Sequence, residues 1–230
     1  MNADQPIVHV AWPKAFRIIR SIHPPIDLFE DIADPKDWEA LASAEAKTNP
    51  RIWDHIGSLD AVPSERRVSG NGASYLMAPF VHVSTDRPGR FTDGSYGVYS
   101  AGNREEVALR EVAHHHGKAM ASSGEEAGWT SQFRMLVNQI DLDLNDVRSC
   151  PQYHHPDDYS LTQALGKRLR MEGSNGIIYQ SVRCPSGECI AIFWPDLMTI
   201  PVQADHFDFH WDGVRVDRIR NCRTSEIFAL

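Results

Sequence analysis

The sequence predicts an α+β protein, with mixed, largely antiparallel sheets flanked by helices. Two hairpin signals lie in the second half, where Ile177–Val182 and Cys189–Trp194 flank a Pro-Ser-Gly-Glu turn. Asp212-Gly213 similarly separates His206–Trp211 from Val214–Ile219. Apolar strand-like runs recur between isolated helical patterns, without the strict alternation of βαβ units.

From the N-terminus, Ile7–Val10 and Phe16–Ile19 read as short strands separated by Trp12-Pro13. Asp34-Pro35-Lys36-Asp37 reads as an N-cap with proline at the first helical position, and Trp38, Leu41 and Ala42 supply an apolar side. Residues 48–74 are rich in Pro, Gly, Asn and Ser and are expected to be loop; Ala78–Val83 is expected to be a strand. Arg104–Met120 is the clearest helix, with Val107, Leu109, Val112 and Ala113 in one stripe. Within Arg134–Leu144, Ile140, Leu142 and Leu144 alternate with Asp141 and Asp143, which is strand behaviour. Ser160-Leu161-Thr162-Gln163 matches a capping box for a helix ending near Gly173.

With 230 residues, 23 Lys+Arg and 31 Asp+Glu, the formal charge is −8. An acidic chain does not fit a protein that coats nucleic acid or an anionic membrane, since both demand a basic surface. A local basic cleft for a small anion remains compatible with it. No apolar run reaches about 18 residues, so no membrane span is expected. The N-terminal stretch lacks the pattern of a secretory signal. The expected setting is therefore cytoplasmic, with Cys150, Cys184, Cys189 and Cys222 reduced.

Metal chemistry finds little support. Cys184 and Cys189 have no second closely spaced pair, which structural zinc requires. His114, His115 and His116 are consecutive on a helix and point about 100° apart, so they cannot converge on one ion; whether any of them lines a site stays open. His206 and His210 alternate with Phe207, Phe209 and Trp211, which fits a strand with one polar face. Phosphate loops of the GxGxxG or GxxxxGK[ST] type and GxSxG elbows do not occur.

The segment Gly89–Tyr99 places Arg90, polar turn residues, Tyr96 and Tyr99 just before the strongest helix, which carries Glu111 about two turns in. An arginine fork suits a pyrophosphate, a tyrosine face suits a flat heterocycle, and a carboxylate suits ribose hydroxyls and an oxocarbenium-like cation. Each residue also has a purely structural reading: Arg90 in an ion pair, Tyr99 in the core, Glu111 on a solvated face.

Four stretches together resemble the RES-domain family, named for an arginine, a glutamate and a serine. They are Phe16-Arg17-Ile18, Gly89-Arg90-Phe91, the block from Val98-Tyr99-Ser100-Ala101 to Ala108-Leu109-Arg110-Glu111, and Asn175–Arg183 with the apolar strand ending Phe193-Trp194-Pro195. The resemblance implies a fold like that of ADP-ribosylating toxins and a single domain over residues 1–230, with a longer insertion at about 25–80. It implies an NAD-consuming bacterial toxin that breaks the nicotinamide–ribose bond, as a glycohydrolase or phosphorylase. The alternatives are a mono-ADP-ribosyltransferase and a non-catalytic nucleotide-binding module.

Carried over position by position, Arg17 and Arg90 would bind the diphosphate or an attacking phosphate, with Phe91 beside them. Tyr99 would stack on or orient nicotinamide. Glu111 would hold the ribose and stabilise positive charge, and Ser181 would hydrogen-bond the ribose or the amide. Arg183, two positions beyond Ser181 on an expected strand, would share its face. The resemblance implies NAD as substrate, without a metal, and a cognate antitoxin protein as partner, with homo-oligomerisation open and neither nucleic acid nor membrane expected.

Overall fold

The structure, a computed structural model, describes residues 5–23 and 33–230. Residues 25–32 of the expected insertion therefore lie outside the described residues. The elements run β1 (Ile7–Arg20), α1 (Trp38–Glu45), α2 (Ile52–Ile56), α3 (Ala73–Val81), β2 (Tyr99–Gly102), α4 (Glu105–Ser123), β3 (Thr130–Asp146), α5 (Ser160–Met171), β4 (Gly176–Gln180), β5 (Glu188–Ile192), β6 (Val202–Trp211), β7 (Val216–Asn221) and β8 (Ile227–Ala229). The strand order is β1-β2-β5-β4-β3-β6-β7-β8, and β1 also pairs with β3. Strands β1, β2, β5, β4 and β3 thus close on themselves, while β6, β7 and β8 extend the sheet from β3. The β3–β4 pair is parallel and the other pairs are antiparallel, so the expected α+β class and both hairpins are present.

The β4–β5 hairpin is buried on both faces. Ile178, Ile190 and Ile192 face a core shared with Trp38, Leu76, Phe80 and Tyr99. Ile177, Tyr179, Cys189, Ala191 and Phe193 face a second core with Leu165 and Leu169 of α5. Side chains alternate along a strand, so double burial demands the uninterrupted apolar run seen here. A third core packs Leu109 and Ala113 of α4 on Phe133, Phe207, Phe209 and Ile219. The face of β6 opposite Phe207, Phe209 and Trp211 carries His206 and His210, as the alternation predicts.

Several expectations are corrected. The two N-terminal strands are one, β1, whose register shifts between Trp12 and Ala15. Pro13 cannot donate to a ladder and falls in that irregularity, where the missing N–H is tolerated. Residues 48–74 hold α2 and two short 3-10 turns at Leu59–Ala61 and Ser64–Arg66. Ala78–Val83 is not a strand. Leu76, Met77, Phe80 and Val81 bury one side of α3, which tolerates Pro79, and a short apolar run cannot distinguish helix from strand by composition.

The first helix opens later than Pro35: Asp34 accepts from the Lys36 N–H in a preceding turn, and Asp37 is the N-cap of α1. Ser160 lies inside α5 rather than capping it; Asp158 Oδ1 accepts its N–H at 2.9 Å and Tyr159 is the N-cap. Helix α4 continues to Ser123 and ends on Gly124 at φ 69°, a left-handed cap that glycine adopts at little cost.

Ile190 is fully buried and Val202 is 72% exposed. Ile190→Ala is expected to cost ~2–5 kcal/mol, lowering the thermal midpoint on the order of 10 °C. Val202→Ala should stay within about 0.5 kcal/mol. Equal losses in thermal unfolding would contradict the double burial of the hairpin.

Candidate active site

Helix α4 is anchored at its start by Asn103, whose N–H donates to Glu188 O at 2.9 Å while its side-chain oxygen accepts from Glu188 N at 3.1 Å. Glu105 and Glu106 in the first turn suit the positive end of the helix. Glu111 follows, half-buried, on the side turned towards the β4–β5 hairpin.

Ser181 is the first residue after β4, and its N–H closes the hairpin on Gly187 O at 2.8 Å. Its hydroxyl oxygen accepts from the N–H groups of Arg183 at 3.2 Å and Cys184 at 3.0 Å. A hydroxyl has two acceptor positions and one proton. With both acceptor positions occupied, the proton goes to Glu111 Oε1 at 2.6 Å. The Cys189 thiol donates to the same oxygen at 4.0 Å. Glu111 Oε2 takes no donor among the described residues and is open to a ligand. Burial and the Glu111 charge push the Cys189 thiol far up, so it stays protonated.

Arg90 lies across the same region. Its Nη1 donates to His155 O at 2.9 Å and Tyr153 O at 3.4 Å. Its guanidinium sits over Tyr159 at 4.4 Å and Tyr179 at 5.9 Å. Phe91 is buried edge-on to Tyr179 at 4.9 Å. Gly166 of α5 permits this approach, because a Cβ there would overlap Phe91 O. Burial raises the Tyr179 hydroxyl well above its ordinary value, with Cys189 and Glu111 adding to it and Arg90 opposing.

Arg183 donates to Pro156 O and lies 3.7 Å from Asp157, while its Nε is buried without a partner. Lys118 also holds Asp157, so the stretch from Tyr153 to Asp157 is strapped over the site by cations from α4 and from both flanking loops. Arg90, Phe91, Glu111, Ser181 and Arg183 thus come together. Ser181 and Arg183 do so through a turn, since β4 ends at Gln180; the expected shared strand face is corrected to a hydroxyl–backbone contact.

Arg17 and Tyr99 form a neighbouring pair. Arg17 Nη1 donates to Ser100 O at 2.9 Å, and its guanidinium lies 4.9 Å from the Tyr99 ring centre. Tyr99 is 0% exposed and donates to Asn138 Oδ1 at 3.2 Å; burial pushes its hydroxyl up to about 12. The expected stacking of Tyr99 on a ligand has no exposed ring face here, because the ring belongs to the core and supports Arg17. No hydrogen bond or ring contact among the described residues joins Arg17 to Arg90 or Glu111. Arg17 Nε is itself buried without a partner.

The three histidines do not converge on one point: His114 and His115 meet edge to face at 5.4 Å, while His116 turns into the core. His116 packs edge-on to Phe133 at 5.0 Å. His115 lies below its ordinary pKa through burial, although Glu111 pulls the other way. His114 Nε2 is 3.9 Å from Asp157 Oδ1, and burial followed by the Arg183 charge pushes it down to about 4. Tyr159, Tyr179, Lys118 and the Tyr153–Asp157 stretch were not singled out from the sequence, and Cys189 was weighed only as a zinc ligand. Tyr179, two positions before Ser181, carried the nearest signal.

A carboxylate oxygen without a donor among the described residues, beside arginines stacked on tyrosines and set on a sheet with flanking helices, marks a candidate small-molecule site. A family model for the RES domain matches residues 64–212, and the chain belongs to that family. The matched stretch includes Arg90, Tyr99, Glu111, Ser181 and Arg183, and begins after Arg17. Protein y4oC of Sinorhizobium fredii is 28% identical over 203 residues, covering 87% of this chain and 84% of that one. Among solved structures, one chain of the M. tuberculosis MbcT–MbcA toxin–antitoxin complex aligns with a TM-score of 0.46 at 11% identity, covering 89% of this chain and 87% of that chain.

His114 sets a pH test. Its folded pKa of about 4 lies below the ordinary 6.5, so between these values the unfolded chain binds more protons and stability falls with falling pH. The contribution is fully present above pH 6.5 and is lost as the pH drops through 4. The thermal midpoint is expected to fall by several degrees or so from pH 7 to 4.5, and less steeply in His114→Gln. Parallel slopes for the two proteins would contradict a neutral buried His114.

Proposed function

We propose that this chain consumes NAD by breaking the bond between nicotinamide and ribose and passing ADP-ribose to water or to phosphate. The observation that carries this reading is the asymmetry of Glu111: Oε1 is fixed by Ser181 at 2.6 Å while Oε2 stays open. A carboxylate held in that way can accept from a ribose hydroxyl and place negative charge beside the anomeric carbon as its bond to nicotinamide lengthens. Nicotinamide leaves a cationic pyridinium as a neutral molecule, so the departure needs no general acid. One carboxylate is then sufficient.

Arg90 engages loop carbonyls through one terminal nitrogen, and Arg183 does so likewise. Their remaining N–H groups suit the diphosphate oxygens. Arg17, held by Tyr99 and Ser100, is assigned to the same dinucleotide or to the attacking phosphate. In this reading residues 1–230 act as one domain, no metal takes part, and a cognate antitoxin protein restrains the enzyme. The chain has no helix long and apolar enough to cross a membrane among the described residues. Its free thiols fit a reducing cytoplasm.

Incubation with NAD, with and without inorganic phosphate, followed by mass analysis, tests the reading. Free ADP-ribose marks a glycohydrolase and its 1″-phosphate marks a phosphorylase. A modified protein would replace both with a mono-ADP-ribosyltransferase. Glu111→Gln is expected to slow NAD loss by about 10²-fold or more at unchanged thermal midpoint. Undiminished turnover in that variant would refute the assignment, and intact NAD with the unaltered protein would favour a non-catalytic binding module.

A further inference from the structure

The far end of α5 carries a second cluster of cations and aromatic rings. Arg170 stands eleven positions after Tyr159, which is about 16 Å along the helix axis. Its guanidinium lies over the Trp194 ring at 4.0 Å and over Tyr96 at 4.9 Å. Arg66 lies over the same indole at 4.5 Å. Three separate segments, a 3-10 turn, the last turn of α5 and the exit of β5, therefore bring two guanidinium groups to one tryptophan.

The charges there are not balanced. Asp196 accepts from Arg66 Nη1 at 3.0 and 3.2 Å and neutralises it. Glu172, the carboxylate next along α5, is held by Arg168. Asp93 is held by Lys167 and Ser95. The Arg170 side chain has no hydrogen bond and no carboxylate partner among the described residues, and its Nε is buried. Trp194 Nε1 is likewise buried without an acceptor. Arg170 is only half-buried as a residue, so its terminal amino groups remain reachable from solvent. A guanidinium held flat by stacking leaves its N–H edge in one fixed plane, which is the geometry that binds an oxyanion by paired hydrogen bonds.

We propose that Arg170, Trp194 and Arg66 form an anion site for a phosphate group, separate from the Glu111 site. Its donors are the Arg170 fork, the indole N–H and the Arg66 nitrogens not taken by Asp196, whose carboxylate balances one of the two guanidinium charges and leaves the other unmatched. Such a set matches the several acceptor oxygens of a phosphate. The site does not depend on the NAD reading, and its occupancy would couple through Tyr96, whose hydroxyl donates to Phe91 O at 2.6 Å, to the loop that carries Arg90.

The test uses the full chain labelled with nitrogen-15, titrated with inorganic phosphate at ionic strength held constant with chloride. The Trp194 indole N–H resonance, assigned with Trp194→Phe, is expected to move saturably. The same movement should persist in Arg90→Gln, which removes a candidate arginine of the other site. In Arg170→Gln the phosphate affinity should fall about tenfold or more. Arg170→Lys, which keeps the charge but not the fork, should recover only part of it. A stationary Trp194 resonance in the unaltered chain overturns the proposal, as does loss of the response in Arg90→Gln alone. An equal response to acetate overturns the phosphate assignment.

Discussion

Burial of the β4–β5 hairpin on both faces is the constraint on which the rest of the molecule depends. Residues of these two strands project alternately into two cores, one shared with α1 and α3 and the other with α5. Each fully buried side chain of the Val, Leu, Ile or Phe type contributes about 1.5–3 kcal/mol relative to exposure, so the register of the hairpin is strongly specified. A slip by one residue would exchange the two faces. Because Ser181 and Cys189 sit at the end of this hairpin, their positions are inherited from that register. The catalytic carboxylate proposed on α4 is in turn placed by its contact with them.

The proposed chemistry rests on the hydrogen bonds of one serine. Two backbone N–H groups occupy the Ser181 oxygen and leave its proton a single direction, towards Glu111 Oε1. One carboxylate oxygen is thereby fixed and the other left available, without a second acid in contact. The arginines follow a different principle. Arg90, Arg183 and Arg17 each donate to backbone carbonyls, and Arg90 and Arg17 also stack on tyrosine rings, so these two are held in place without a carboxylate partner among the described residues, while Arg183 shares Asp157 with Lys118. A chain of net charge −8 can in this way keep positive potential where a dinucleotide would need it.

Much of this was legible in the sequence, for identifiable reasons. The Pro-Ser-Gly-Glu and Asp-Gly turns announced both hairpins, and the stripe of Val107, Leu109 and Ala113 announced α4. The alternation of Phe207, Phe209 and Trp211 placed His206 and His210 on a strand. Where the reading failed, tertiary contacts decided. The run containing Leu76, Met77, Phe80 and Val81 is apolar enough for a buried strand or a buried helix, and packing against β1 and the hairpin selects the helix. Tyr99 sits within the resembling motif, yet its ring is core and its role is to support Arg17. The contacts of Arg90 with Tyr153 and His155 span more than sixty positions, so no local spacing could announce them.

The measurement that bears most directly on the account is a crystal structure of Glu111→Gln with NAD bound, since slowed cleavage should preserve the dinucleotide. The account predicts the nicotinamide ribose within hydrogen-bond distance of residue 111 and the diphosphate on Arg90 and Arg183. A dinucleotide bound elsewhere, or one whose ribose lies beyond reach of residue 111 and Ser181, would contradict it.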